Sequence, residues 1–267
     1  MSVQEMTTLL LVLLATTEFR PYEGPKPLVV WVQTNPWLWV IGSDTPRVVL
    51  YEDGELVLGK PVDHAFVYRH RRLQAAELAA FKERLRPVAA AAEIHPRYDL
   101  TGGMTDQPAA LLYVRSRERE IATAIEGLGA RDSAPGKREP SDRADAGLTA
   151  LLDLHNFLAT LDEAGSVEWR PRYVEVMLWP FRAPGASAIR WPSDWPSLTS
   201  DRARKRHEDQ YSIYLDGAME PKVASFAATR SKAGGVEVGG RIWAISLRPV
   251  FPSEPIWRQA FERAPNP

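Results

Sequence analysis

Apolar positions in the first third of the chain fall into short runs separated by turn formers. Residues 28–32 and 36–41 are continuous apolar runs bounded by Pro, Asn and Gly, and both read as strands. Residues 47–51 (RVVLY) and 56–58 flank Glu52-Asp53-Gly54-Glu55. Asp-Gly between two apolar runs predicts a two-residue hairpin with positive φ at both central positions. Residues 64–71 alternate and predict a further strand. The pattern then changes period. Residues 74–86 (QAAELAAFKERLR) carry Ala, Leu and Phe at helical spacing, with Pro87 expected at the helix end. Residues 109–115 and 120–126 predict a second hairpin around the charged turn Ser116-Arg117-Glu118-Arg119.

Residues 129–147 (GARDSAPGKREPSDRADAG) have no apolar period and read as a linker or mobile loop. After them, Leu148, Leu151, Leu152, His155, Leu158 and Leu161 share one face of a predicted helix. Residues 173–178 and 211–215 read as strands, with the charged run 201–210 as a solvated loop between them. Residues 220–230 predict a helix with Pro221 in its first turn. Gly239-Gly240 predicts a hairpin joining 236–238 to 241–247.

Hairpins rather than repeated βαβ units imply an α+β fold. The sheets should be mostly antiparallel, with about three helices and possibly two similar halves. The expected organisation is an N-terminal α+β half at 1–128, a linker at 129–147 and a C-terminal α+β half at 148–267. At 267 residues the chain can bury a full core.

Composition narrows the chemistry. There is no cysteine, so disulfides, thiolate metal ligands and thiol catalysis are excluded. A formal net charge of −1 argues against a general nucleic-acid binder. The apolar run 7–15 is too short to span a bilayer. Its first following basic residue is Arg20, and Leu13 stands where a signal-peptide cleavage site wants a small residue. A buried strand or short helix is therefore expected there, and a cytoplasmic location is favoured over export.

Motif chemistry is sparse. His64 and His70 would sit about 20 Å apart on one strand, too far to share an ion. Gly185-Ala186-Ser187-Ala188-Ile189 lacks the second glycine of a nucleophile elbow. The Thr101-Gly102-Gly103-Met104-Thr105 loop lacks the lysine and following helix of a phosphate loop. Neither a metal nor a cofactor is expected. Asp99 and Asp106 bracket that glycine loop, and with His207 they form the candidate acid–base set.

Two segments are candidate contact surfaces. Residues 169–196 hold Trp169, Trp179, Trp191 and Trp195, three of them followed by proline. Trp191 and Trp195 could offer an aromatic binding surface. Their spacing of four does not match a three-residue polyproline repeat, so a single flat platform is not expected. Arg202, Arg204, Lys205 and Arg206 form the strongest local basic patch, interrupted by acids at Asp201, Glu208 and Asp209; a solvated loop is the favoured reading, with an acidic protein partner or nucleic-acid phosphates as the functional ones.

The stretches Pro46-Arg47-Val48-Val49-Leu50-Tyr51-Glu52-Asp53-Gly54, Thr105-Asp106-Gln107-Pro108 and Trp191-Pro192-Ser193-Asp194-Trp195-Pro196 resemble uncharacterised proteins of high-GC bacteria. The resemblance implies a bacterial source and carries over neither an activity nor a functional residue.

The expected function is non-enzymatic binding of another protein, as an immunity-type or accessory factor, without nucleic acid or membrane insertion. A hydrolase working through loop Asp/Glu and His is the alternative. An exported carbohydrate- or envelope-binding module is a further one.

Overall fold

The described residues fold into two sheets, of eight and six strands, with four α-helices packed on them. The structure is a computed structural model and describes residues 18–34, 44–62, 65–128, 145–181, 187–231 and 234–263. The fold is mixed α+β, mostly sheet and largely antiparallel, as the hairpin pattern predicts. The expected segments at 7–15 and 36–41, His64, Gly185-Ala186 and residues 129–144 of the expected linker lie outside the described residues.

The first sheet is built from β1 (Pro27–Gln33), β2 (Pro46–Tyr51), β3 (Glu55–Val62), β4 (Ala65–Arg72), β5 (Arg97–Asp99), β6 (Ala109–Arg115), β7 (Glu120–Glu126) and β8 (Val167–Glu168). Its order is β5-β7-β6-β1-β2-β3-β4-β8. The continuous apolar run of β1 has a direct cause, because both faces of this sheet are covered. Val29, Trp31, Val48, Leu50, Leu56 and Leu58 face α1 (Ala75–Ala90) and α2 (Ala146–Ala159), which contribute Phe81, Leu85, Val88, Leu151, Leu154 and Leu158. Val30, Val32, Val49, Tyr51, Val57, Tyr68 and Tyr113 face the other way, onto Trp169, Phe251 and Trp257. Trp257 belongs to α4 (Glu254–Arg263), so the chain returns to the first sheet at its end.

The second sheet contains β9 (Tyr173–Pro180), β10 (Ala188–Arg190), β11 (Ala203–His207), β12 (Gln210–Asp216), β13 (Gly235–Val238) and β14 (Arg241–Pro249), in the order β10-β13-β14-β9-β12-β11. One face packs Val176, Leu178, Ile213, Leu215, Val236, Val238 and Trp243 against Val223 of α3 (Glu220–Ala228) and against Trp191 and Trp195. Tyr173 and Tyr214 are on the opposite face, covered by Phe19, Tyr22 and Val250.

Local signals explain most element ends. Asp145 caps α2 by accepting from the amides of Gly147 and Leu148 at 2.8 and 3.1 Å. A reciprocal bond between Gln74 and Glu77 starts α1. That helix runs past the expected stop, with Pro87 inside it. Its freed end is satisfied by Arg119, which donates to the carbonyls of Val88 and Ala91 at 3.2 and 2.8 Å.

The two glycine hairpins differ. Gly239 and Gly240 both have positive φ, 59° and 76°, as a two-residue turn requires. At Glu52-Asp53-Gly54 only Gly54 does, at 88°, and its amide donates to the Tyr51 carbonyl at 3.0 Å. The turn is therefore one residue longer than the Asp-Gly pair suggested, with glycine in its single left-handed position.

Among the described residues no helix is long and apolar enough to cross a membrane, which says nothing of spanning by strands.

Candidate functional site

The Trp–Pro segment packs inward. Trp191 and Trp195 are 7% and 6% exposed. Their rings lie 5.0 Å apart at 86°, edge to face, as the mismatch with a polyproline repeat anticipates. Both also meet Phe226, which follows Val223 on α3, at 5.9 and 5.2 Å. The Trp191 indole donates to the Pro196 carbonyl at 3.0 Å, and its amide donates to the Glu237 carbonyl of β13 at 3.0 Å. The prolines deny the segment a regular ladder, and the two indoles hold it onto α3 and β13 instead. Little indole surface is left for a partner to touch.

The basic run is exposed, as its charge suggests, but it forms a strand and not a loop. Residues 203–207 form β11, an edge strand paired antiparallel to β12 in the register Ala203↔Ile213, Arg204↔Ser212, Lys205↔Tyr211. An edge strand needs no apolar alternation when its side chains meet water, so Ala-Arg-Lys-Arg-His satisfies it through backbone pairing alone. A register irregularity falls between Lys205 and His207, at Arg206.

The cations of this run have different employment. Arg202 pairs with Asp216 at 2.7 Å and lies over the rings of Phe19 and Tyr173, at 5.0 and 5.6 Å. Asp216 raises the affinity of that guanidinium for its proton, chiefly through their hydrogen bond. Arg204 donates to the Phe19 carbonyl at 3.2 Å and lies over the same ring. These two arginines hold residues 18–22 on the sheet. Lys205 and Arg206 are exposed, and neither forms an ion pair among the described residues.

Of the acid–base candidates, Asp99 and Asp106 flank one loop of the first sheet, and His207 belongs to the second. Asp99 ends β5 on the first sheet and accepts from the Thr101 amide and hydroxyl, both at 2.7 Å. Asp106, with φ of 58°, stands in the loop before β6. His207 closes β11 on the other sheet. Among the described residues no three His, Asp or Glu side chains are grouped to hold a metal ion.

Sequence reasoning missed a buried ionic chain. Arg248 of β14 lies between Glu175 of β9 and Glu254 of α4, and Glu254 also holds Arg258. The Ser212 hydroxyl donates to Glu175, and the Phe251 amide donates to Glu254 at 3.2 Å. Burial opposes the charge on Glu254, but the attraction of Arg248 and then Arg258 outweighs it and holds the carboxyl below the usual range. Burial and the nearby Glu175 charge push the Tyr214 hydroxyl up to about 12. That hydroxyl bonds to Tyr22 at 2.7 Å. The signal available in sequence was Glu175 itself, a lone acid in the apolar strand YVEVML. The chain of charges ties the second sheet to α4, and so to the first sheet, without presenting an open reactive group.

No protein-family model, curated protein or solved structure matches this chain.

Proposed function

We propose that the chain is a non-enzymatic module that binds an acidic surface of another protein through β11, in the manner of an immunity-type or accessory factor. The observation that carries this reading is the division of labour within one basic run, residues 202–206. Arg202 and Arg204 serve the fold, while Lys205 and Arg206 have no ionic partner among the described residues. β11 has five residues, against two or three in the other edge strands β5, β8 and β10. Lysine and arginine on an edge repel like strands and admit an acidic partner, which gives association with selectivity.

The test is affinity purification of the tagged chain from its own cells, compared with the Lys205→Glu/Arg206→Glu variant. A partner retained in stoichiometric amount by the native chain and lost by the variant supports the reading. Equal retention by both, or no stoichiometric partner, contradicts it.

A further inference from the structure

The first sheet also has an incomplete edge. β5 pairs parallel with β7 only over Arg97↔Ala124 to Asp99↔Glu126. The Ala124 amide donates to the Pro96 carbonyl at 2.9 Å, and the Glu126 carbonyl accepts from the Leu100 amide at 3.0 Å. Even-numbered residues of β7 therefore turn their backbone groups outward, and the odd-numbered ones face β6. By the same alternation Ala122 and Glu120 turn theirs outward, beyond the point where β5 stops. Residues before Pro96 leave the edge, and the His95 carbonyl accepts from the Thr123 hydroxyl at 2.8 Å.

This open stretch lies between two grooves. One, of about 200 Å³, is lined by Ile94, Pro96, Arg119, Glu120, Ile121 and Ala122. The other, of about 280 Å³, is lined by Pro96, Glu120, Ala122, Ala260 and Arg263. Pro96, Glu120 and Ala122 line both grooves; Ile94 and Ile121 extend the first toward the cluster under α1 and α2, and Ala260 extends the second toward the cluster under α4. A strand added beside β7 would send alternate side chains into each. Arg119 and Arg263 bring two positive charges against the single negative charge of Glu120, and neither arginine is ion-paired among the described residues.

We infer that the edge at Glu120–Ala122 accepts an extended segment of another protein, added as a strand in line with β5. Its apolar side chains enter the groove of Ile94 and Ile121, and its acidic ones face Arg263. This edge is on the other sheet from β11, and the inference stands whether or not β11 binds a partner.

The probe is a capped octapeptide of alternating valine and glutamate, fluorescently labelled and titrated against the full chain by anisotropy. The expected result is saturable binding, weakened about tenfold or more when the interior peptide amides are N-methylated, when lysine replaces glutamate, or in Ala122→Pro. Proline is tolerated where an edge N–H points outward. The N-methylated and lysine peptides test the native protein and do not depend on that variant folding. Absence of saturable binding, or binding undiminished by N-methylation, would overturn the inference.

Discussion

Glu175 on β9 and Arg248 on β14 stand directly opposite each other in the second sheet, and their side chains are 1% and 3% exposed. Burying one charge alone is far more costly than burying a compensated set. Arg248→Met leaves both Glu175 and Glu254 without their shared cation. It should destabilise the fold by about 3–5 kcal/mol, read as a lower midpoint in urea unfolding.

The same chain of charges sets an acid limit. Glu254 starts from an ordinary value of 4.5 and is held below it in the fold. A depressed folded value means that its contribution is fully present above the unfolded value and is lost as pH falls through the folded one. Stability should therefore drop below pH 4.5, and Glu254→Gln should flatten that part of the profile while lowering stability at neutral pH. Urea midpoints measured from pH 7 down through the acid range (about 3–5) check both statements.

Trp191 and Lys205 should respond in opposite ways. Trp191→Ala opens a cavity against Trp195 and Phe226, and should cost about 3–5 kcal/mol. Lys205→Glu touches no buried partner, and should change stability by about 0.5 kcal/mol or less. Thermal unfolding of the two variants separates the core residue from the surface one.

A tight contact at Gly217 gives a further check. A Cβ there would meet the Pro171 carbonyl oxygen at 1.7 Å, while the Gly217 amide donates to Arg172 at 2.8 Å. Gly217→Ala must shift the start of β9 or the turn after β12, and should lower the melting temperature by several degrees, about 1–3 kcal/mol.

What the sequence disclosed follows from how much each element depends on its own residues. The β6–β7 hairpin was legible to the residue, because its alternation and its charged turn are local. β5, β8 and β10 have three residues or fewer and owe their existence to a neighbour's edge. Helix α4 was missed although Pro255, Ile256, Trp257, Ala260 and Phe261 have helical spacing, a signal that was available. Pro87 was over-read as a stop. The basic run was recognised as charged, but its being an edge strand depends on β12 and on the order of the whole sheet. The same holds for which arginines are already paired, since Asp216 and the Phe19 carbonyl are distant in sequence or visible only in space.

On the proposed function, Lys205 and Arg206 on the edge of β11 carry recognition of an acidic partner. The most direct measurement is the Kd of the purified partner as a function of sodium chloride concentration, for the native chain and for Lys205→Glu/Arg206→Glu. Affinity should fall steeply with salt for the native chain, and the variant should bind more weakly with a shallower dependence. A salt-independent Kd, or one that the two substitutions leave unchanged, would show that these cations do not carry the recognition.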